Sequence, residues 1–415
     1  MNKLEEKIVS YIEEHADQLI ELCSKLIQFN SENPPGDSKP ISKYIESFLE
    51  QENISMDWYE AGENMWNITS TIGSNHGKTL IFCGHTDVVP ASDLSRWEFD
   101  PFSGEVKDGW ILGRGASDMK GGLAGLIFAF YALKHLDIPL DGKLMLAIVP
   151  DEETGGELGV PWLLERSLIA GDGCIIAEPS SPLNPTIGQK GSCWFRLTVS
   201  GNQAHGSLAP LAGKNAIIDA MKAIDTIKEL WDMDIRVPDE VQSLINISKE
   251  YMKNMENTAY YEVLERITVN IGVIQGGTKS NVVPDQCMVE VDCRLPFGIS
   301  NEEALMHIRS KLDQLSIDYT LEPFGFKSSA NYTSAEDPIC QAVMASIEDI
   351  TKEHAYGVMQ WASSDARHFR DYQIPVLQYG PAYLPSIHNF NEKVLVEDVI
   401  RCAKVYALTA LKFLT

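Results

Sequence analysis

The chain has 415 residues, with 59 Asp+Glu against 34 Lys+Arg and a formal net charge of −25. A field of that sign repels nucleic-acid phosphates and anionic membrane surfaces, so neither is an expected partner. The 44% hydrophobic and 22% charged content is that of a folded chain, and no apolar run approaches the roughly 20 residues that span a bilayer. The length accommodates two or three domains of about 150 residues. The opening MNKLEEKIVSYIEEH is charged and helical in pattern, unlike a signal peptide. The eight cysteines stand singly, without a CxxC pair, which fits reduced thiols in a cytoplasmic protein.

Apolar residues at Ile8, Ile12, Leu19, Leu22, Leu26 and Ile27 predict one or two amphipathic helices, ended by SENPPGD at 31–37. A further helix is expected around 41–51. TLIFCGHTDVV (79–89), LMLAIVP (144–150) and CIIAEP (174–179) open as continuous apolar runs, the pattern of strands buried on both faces of an α/β sheet. KGGLAGLIFAFYALKHL (120–136) is a helix suited to packing on that sheet. Near residue 190 the pattern becomes alternating: strands at 193–201, 267–277, 286–296 and 317–323, helices at 214–230 and 301–315, in β-α-β-β-α-β order. Residues 231–266 form a polar, partly helical insertion in this series. α/β character returns with a helix at 337–351, a buried strand at 375–381 and a closing helix at 396–414. The expected architecture is a discontinuous three-layer α/β domain, 1–189 and 327–415, with an α+β domain of ferredoxin-like order, 190–326, inserted between its halves.

Ionisable residues collect where the apolar runs end. His85 and Asp87 follow the first run, and two residues apart on extended backbone they face the same way. Asp118 sits in the glycine-dense GRGASDMKGG. Asp151, Glu152 and Glu153 follow the second run, and Glu178 the third. The carboxyl ends of strands in open α/β sheets line the ligand crevice. Carboxylates gathered there repel one another unless something positive stands among them. Histidine with carboxylate is a zinc-type ligand set. One of the adjacent Glu152 and Glu153 can ligate while the other serves as a base toward a water. His388, in the polar loop LPSIHNFNE, can complete such a site. His205, in the α+β domain, lies outside it and could serve a developing oxyanion. The sequence has neither GxxxxGK[ST] nor GxGxxG, so a nucleotide-phosphate cradle is not supported.

HTDVVP at 85–90, GRGASDMKGG at 113–122, DEETGG at 151–156, AEPS at 177–180, AHGS at 204–207 and HNFNE at 388–392 together resemble the M20 family of dinuclear zinc hydrolases, which includes acetylornithine deacetylase, succinyl-diaminopimelate desuccinylase, aminoacylase and carboxypeptidase G2. The resemblance runs in order over nearly the whole chain. It implies a zinc-exopeptidase-type catalytic domain with a lid and dimerisation domain. It further implies two zinc ions per subunit, which cobalt can replace. His85 and Glu178 would hold one ion, Glu153 and His388 the other, and Asp118 would bridge them. Asp87 would orient His85, and Glu152 would be the general base. In a homodimer built through the lids, His205 would reach the partner's active site. Asn281 and Arg294 match lid residues that contact substrate, and Ser364, in SSDARHF at 363–369, matches a substrate-loop motif of the desuccinylase branch. The insertion at 231–266 is longer than a simple family lid. The expected reaction is removal of an N-acyl group, acetyl or succinyl, from a small-molecule amino acid or diamino acid, through metals that polarise the amide carbonyl and activate a water. A dipeptidase or carboxypeptidase of the same family is the alternative. An inactive binding relative would be expected to lack the base or a ligand, and none is missing.

Overall fold

The computed structural model describes residues 1–254 and 260–415. Residues 255–259, within the expected insertion, lie outside the described residues. The chain forms two compact units, one of Met1–Ile187, Thr333–Gly357 and Ser364–Thr415, the other of Gly188–Tyr332 and Val358–Ser363. The segment 358–363, assigned by sequence to the α/β domain, therefore belongs to the second unit.

The first unit is built on a mixed sheet whose neighbouring strands run Asp57–Gly62, Met65–Gly73, Lys143–Val149, Thr79–His85, Gly173–Ile176 and Val376–Gln378. The last four are mutually parallel, and their apolar runs are buried. His85 pairs with Val149, Cys83 with Ile176, and Ile176 with Gln378, so the segments following these strands all leave from one edge. The helix Gly121–His135 is buried from Gly121 to Leu133, as its unbroken run of small and apolar residues requires. It packs against the closing helix Val396–Leu414 and the strand Thr79–His85. Gly122 permits the approach: a Cβ there would stand 2.1 Å from the carbonyl oxygen of Ala177, next to Glu178. The N-terminal pattern resolves into two helices, Lys3–Glu14 and Ala16–Gln28.

The hairpin Asp57–Gly62 and Met65–Gly73 was not legible in the sequence. Its inner strand carries Asn67, Thr69 and Ser70, all buried. Two of them are anchored by side-chain bonds: Asn67 Nδ2 donates to the Leu158 carbonyl at 2.8 Å and the Ser70 hydroxyl to that of Ser55 at 2.7 Å.

In the second unit, strands Thr268–Gly276, Gln286–Leu295, Gly191–Ser200 and Asp318–Ser328 form an antiparallel sheet in that spatial order. Alternate residues Cys193, Phe195, Leu197, Val199 and Val289, Val291 meet Ala220, Ala223 and Ile227 of the helix Ala216–Lys228, and Ala304 and Ile308 of Asn301–Leu312, in one core. Ser300 caps the latter helix in a capping box with Glu303. The insertion contributes the helix Gln242–Lys253, which buries Leu244, Ile245 and Met252 and whose Ser248 hydroxyl accepts the N–H of Met359 at 2.8 Å. Lys190 is fully buried and donates to the carbonyls of Val263 and Arg266, each at 2.7 Å. All eight cysteines are buried and unbonded to one another. Among the described residues no helix is long and apolar enough to cross a membrane.

Candidate metal centre and active site

The strand ends bring His85, Asp118, Glu153, Glu178 and His388 into two groups that share Asp118. His85 Nε2 lies 3.4 Å from Asp118 Oδ1 and 3.6 Å from Glu178 Oε1. His388 Nε2 lies 3.2 Å from Asp118 Oδ2 and 3.2 Å from Glu153 Oε2. Asp118 thus turns one oxygen to each histidine.

These spacings suit a common cation better than direct hydrogen bonds. Two ligands at about 2.0–2.1 Å from a tetrahedral ion stand about 3.3–3.4 Å apart. His85 Nε2, Glu153 Oε1 and Glu178 Oε1 are buried without a hydrogen-bond partner. Such atoms are costly unless something satisfies them, and a positive ion among them does so. The residues therefore fit a pair of borderline or hard divalent cations.

The electrostatics agree. Burial pushes the Glu178 carboxyl well above its usual range, with Asp118 and Glu152 adding to the rise. Burial and Asp118 push Glu153 up to about 8, against the pull of His388. The carboxylates of Asp118 and Glu153 raise His388 to about 11. Glu152 is raised mainly by burial, with His85 opposing.

Asp87 does more than the sequence suggested. His85 Nδ1 meets the backbone carbonyl of Asp87 at 2.9 Å and its carboxylate at 3.3 Å. The same carboxylate accepts the backbone N–H of Glu152 and of Glu153, and Asn33 Nδ2 at 3.0 Å. One buried group therefore steadies a histidine and the turn bearing both glutamates.

The remaining sequence candidates fall into separate places. His205 is exposed in the second unit, its Nδ1 2.7 Å from the Ser207 hydroxyl. Asn281 is its neighbour, its carbonyl accepting the Gly206 N–H at 2.8 Å. Arg294 lies elsewhere in that unit, with its guanidinium engaged by Asp292 at 2.9 Å. Ser364 belongs to the first unit, where it accepts from the Gln378 amide and from the Ala366 N–H. Sequence reasoning passed over Asn33, Arg114, Asp365 and Glu392. Asp365 is buried and is pushed well above the carboxylate range by burial and by Glu152. Its signal, and that of Glu392, was present as charged letters within SSDARHF and HNFNE.

Residues 81–412 match the model of the peptidase family M20/M25/M40. The chain belongs to this family. It is 30% identical over 361 residues to the succinyl-diaminopimelate desuccinylase of Nitrosomonas eutropha, a match covering 85% of this chain and 86% of the relative. Human carnosine dipeptidase 1 has the same fold with a TM-score of 0.80 at 17% identity, covering 99% of each chain. An M20 family metallo-carboxypeptidase from Sulfolobus solfataricus has a TM-score of 0.78 at 20% identity, covering 100% of each chain. This M20 member is a metallo-hydrolase that acts on amide bonds.

Proposed function

We propose that this M20 hydrolase removes a succinyl or acetyl group from the nitrogen of an amino acid or diamino acid. The observation that carries the reading is the 30% identity to a desuccinylase over 85% of the chain. Two zinc ions, or cobalt in their place, would be held by His85 and Glu178 on one side, by Glu153 and His388 on the other, and by Asp118 between. When bound, such ions supply Lewis acidity toward the amide carbonyl and lower the pKa of a nearby water.

The chain's own residues do the rest. Glu152 takes a proton from the attacking water and returns it to the leaving amine. Its backbone is fixed by Asp87 and its carboxyl is raised by burial, which suits a group that must both accept and release a proton. Asn281, Arg294 and Ser364 orient the substrate. His205 stabilises the oxyanion in the partner subunit of a homodimer.

A second copy would dock along Thr268–Gly276, an edge strand of its sheet. Ile274 on that strand, and Ile218 and Met221 on the neighbouring helix, are all about half exposed, an apolar patch in a chain otherwise rich in charge. The buried, unbonded thiols support a cytoplasmic site of action.

The rival reading is a dipeptidase or carboxypeptidase, the activities named for the two solved neighbours, which share only the fold. Zinc- or cobalt-loaded enzyme assayed on succinyl-, acetyl- and formyl-amino acids and on dipeptides decides between them. The highest kcat/KM is expected on a succinylated or acetylated substrate. A higher value on dipeptides would replace the present reading with its rival.

A further inference from the structure

Glu392 closes the HNFNE motif, yet it is not among the residues grouped around Asp118. It is fully buried, and its carboxylate is saturated by donors from a distant part of the chain. Oε2 accepts Arg114 Nη1 at 2.7 Å and the Gly115 N–H at 3.1 Å. Oε1 accepts the N–H groups of Ser117 and Asp118, each at 3.0 Å. Arg114 Nη1 also donates to the Asn389 carbonyl at 3.0 Å, and the Gly113 N–H bonds the Glu392 carbonyl at 2.9 Å.

These bonds join two specific things. One is the backbone N–H of Asp118, whose carboxylate faces both histidines. The other is the turn that begins at His388, which has a φ of +56°, a left-handed conformation that is strained for a non-glycine residue. A turn held in that conformation needs outside support, and Arg114 gives it at the adjacent carbonyl. Among the described residues Glu392 makes no bond to the segment that follows His85; Arg114 reaches that segment only through a long contact, Nη2 to the Pro90 carbonyl at 3.5 Å, against 3.0 Å to Asn389.

We propose that Glu392, together with Arg114, is a positioning residue that sets the distance between Asp118 and His388 and thereby the affinity of the cation on the His388 side. The inference rests on the two-metal reading above. A merely structural ion pair would lower stability without favouring either metal position.

The experiment separates the two positions. The His85→Ala variant retains Asp118, Glu153 and His388, and the His388→Ala variant retains His85, Asp118 and Glu178. Glu392→Gln is added to each, and zinc affinity is titrated against a competing chelator. In the His85→Ala background the affinity should fall roughly 10- to 100-fold, and in the His388→Ala background by a clearly smaller factor. Equal losses in both, or none in the first, would overturn the proposal. Thermal melting of the metal-free proteins reports whether each is folded. If Glu392→Gln is not, Arg114→Lys, which keeps the charge but withdraws the fork from Asn389, should give the same asymmetry at smaller size, and a symmetric result there overturns it equally. A wild-type enzyme that binds fewer than two zinc ions would instead bring down the two-metal reading, and this inference with it.

Discussion

Asp87 accepts the backbone N–H of Glu152 through Oδ1 and that of Glu153 through Oδ2, each at 3.2 Å. The acid that steadies His85 thus also presents the proposed base and a proposed ligand. In Asp87→Asn the amide N–H₂ must face at least one of these donors. Zinc affinity, titrated against a chelator, should fall roughly 10- to 100-fold. An unchanged affinity would remove Asp87 from the design of the site.

Glu152→Gln keeps the shape of the side chain but cannot take a proton. We expect kcat to fall by roughly 10²- to 10⁴-fold while two equivalents of zinc stay bound, measured by steady-state kinetics beside metal analysis. A variant that turns over normally would transfer the role elsewhere.

The site was unevenly legible. The apolar runs ending in His85, Glu152–Glu153 and Glu178 were readable because a strand buried on both faces leaves no polar positions until it ends. What the sequence hid was the support. Asn33, Arg114 and Glu392 act through contacts between segments far apart in the chain, and no local period marks such contacts. The Met65–Gly73 strand was hidden for a related reason: three of its five buried residues are polar, Asn67, Thr69 and Ser70, and tertiary bonds such as Asn67 to Leu158 help make that acceptable. The insertion likewise read as polar although its helix Gln242–Lys253 buries one apolar face.

His205 offers a test that is independent of fold stability. His205→Ala should lower kcat by roughly 10²-fold or more if the imidazole serves an oxyanion. If it acts across a homodimer, mixing His205→Ala with Glu152→Gln should restore activity. Half of the mixed dimers would be hybrids with one intact site each, so up to about a quarter of the wild-type rate should return. Two inactive variants that stay inactive after exchange would place His205 outside the partner's chemistry.

Lys190 gives a pH signature to the second unit. Burial, with help from Arg294, holds its ammonium down to about 7, whereas an unfolded lysine titrates near 10.4. Below pH 7 both states carry the charge and the folded state bears its desolvation in full. Between about 7 and 10.4 the unfolded chain holds a proton that the folded chain has released, so stability rises with pH across that window. The melting temperature of the wild type should therefore climb from pH 7 to 9.5 relative to that of Lys190→Met. Parallel melting curves across this range would exclude the effect.

The short strand Lys393–Leu395 pairs with Trp110–Leu112, some 280 residues earlier in the chain. His388 and Glu392 stand just before Lys393–Leu395, so this pairing helps hold them against the segment that carries Arg114 and Asp118. The group of Asp118, Glu153 and His388 exists only in the closed fold, because its three members come from segments far apart in the chain. A cation held there would act as a clasp, tying three remote segments together at one point.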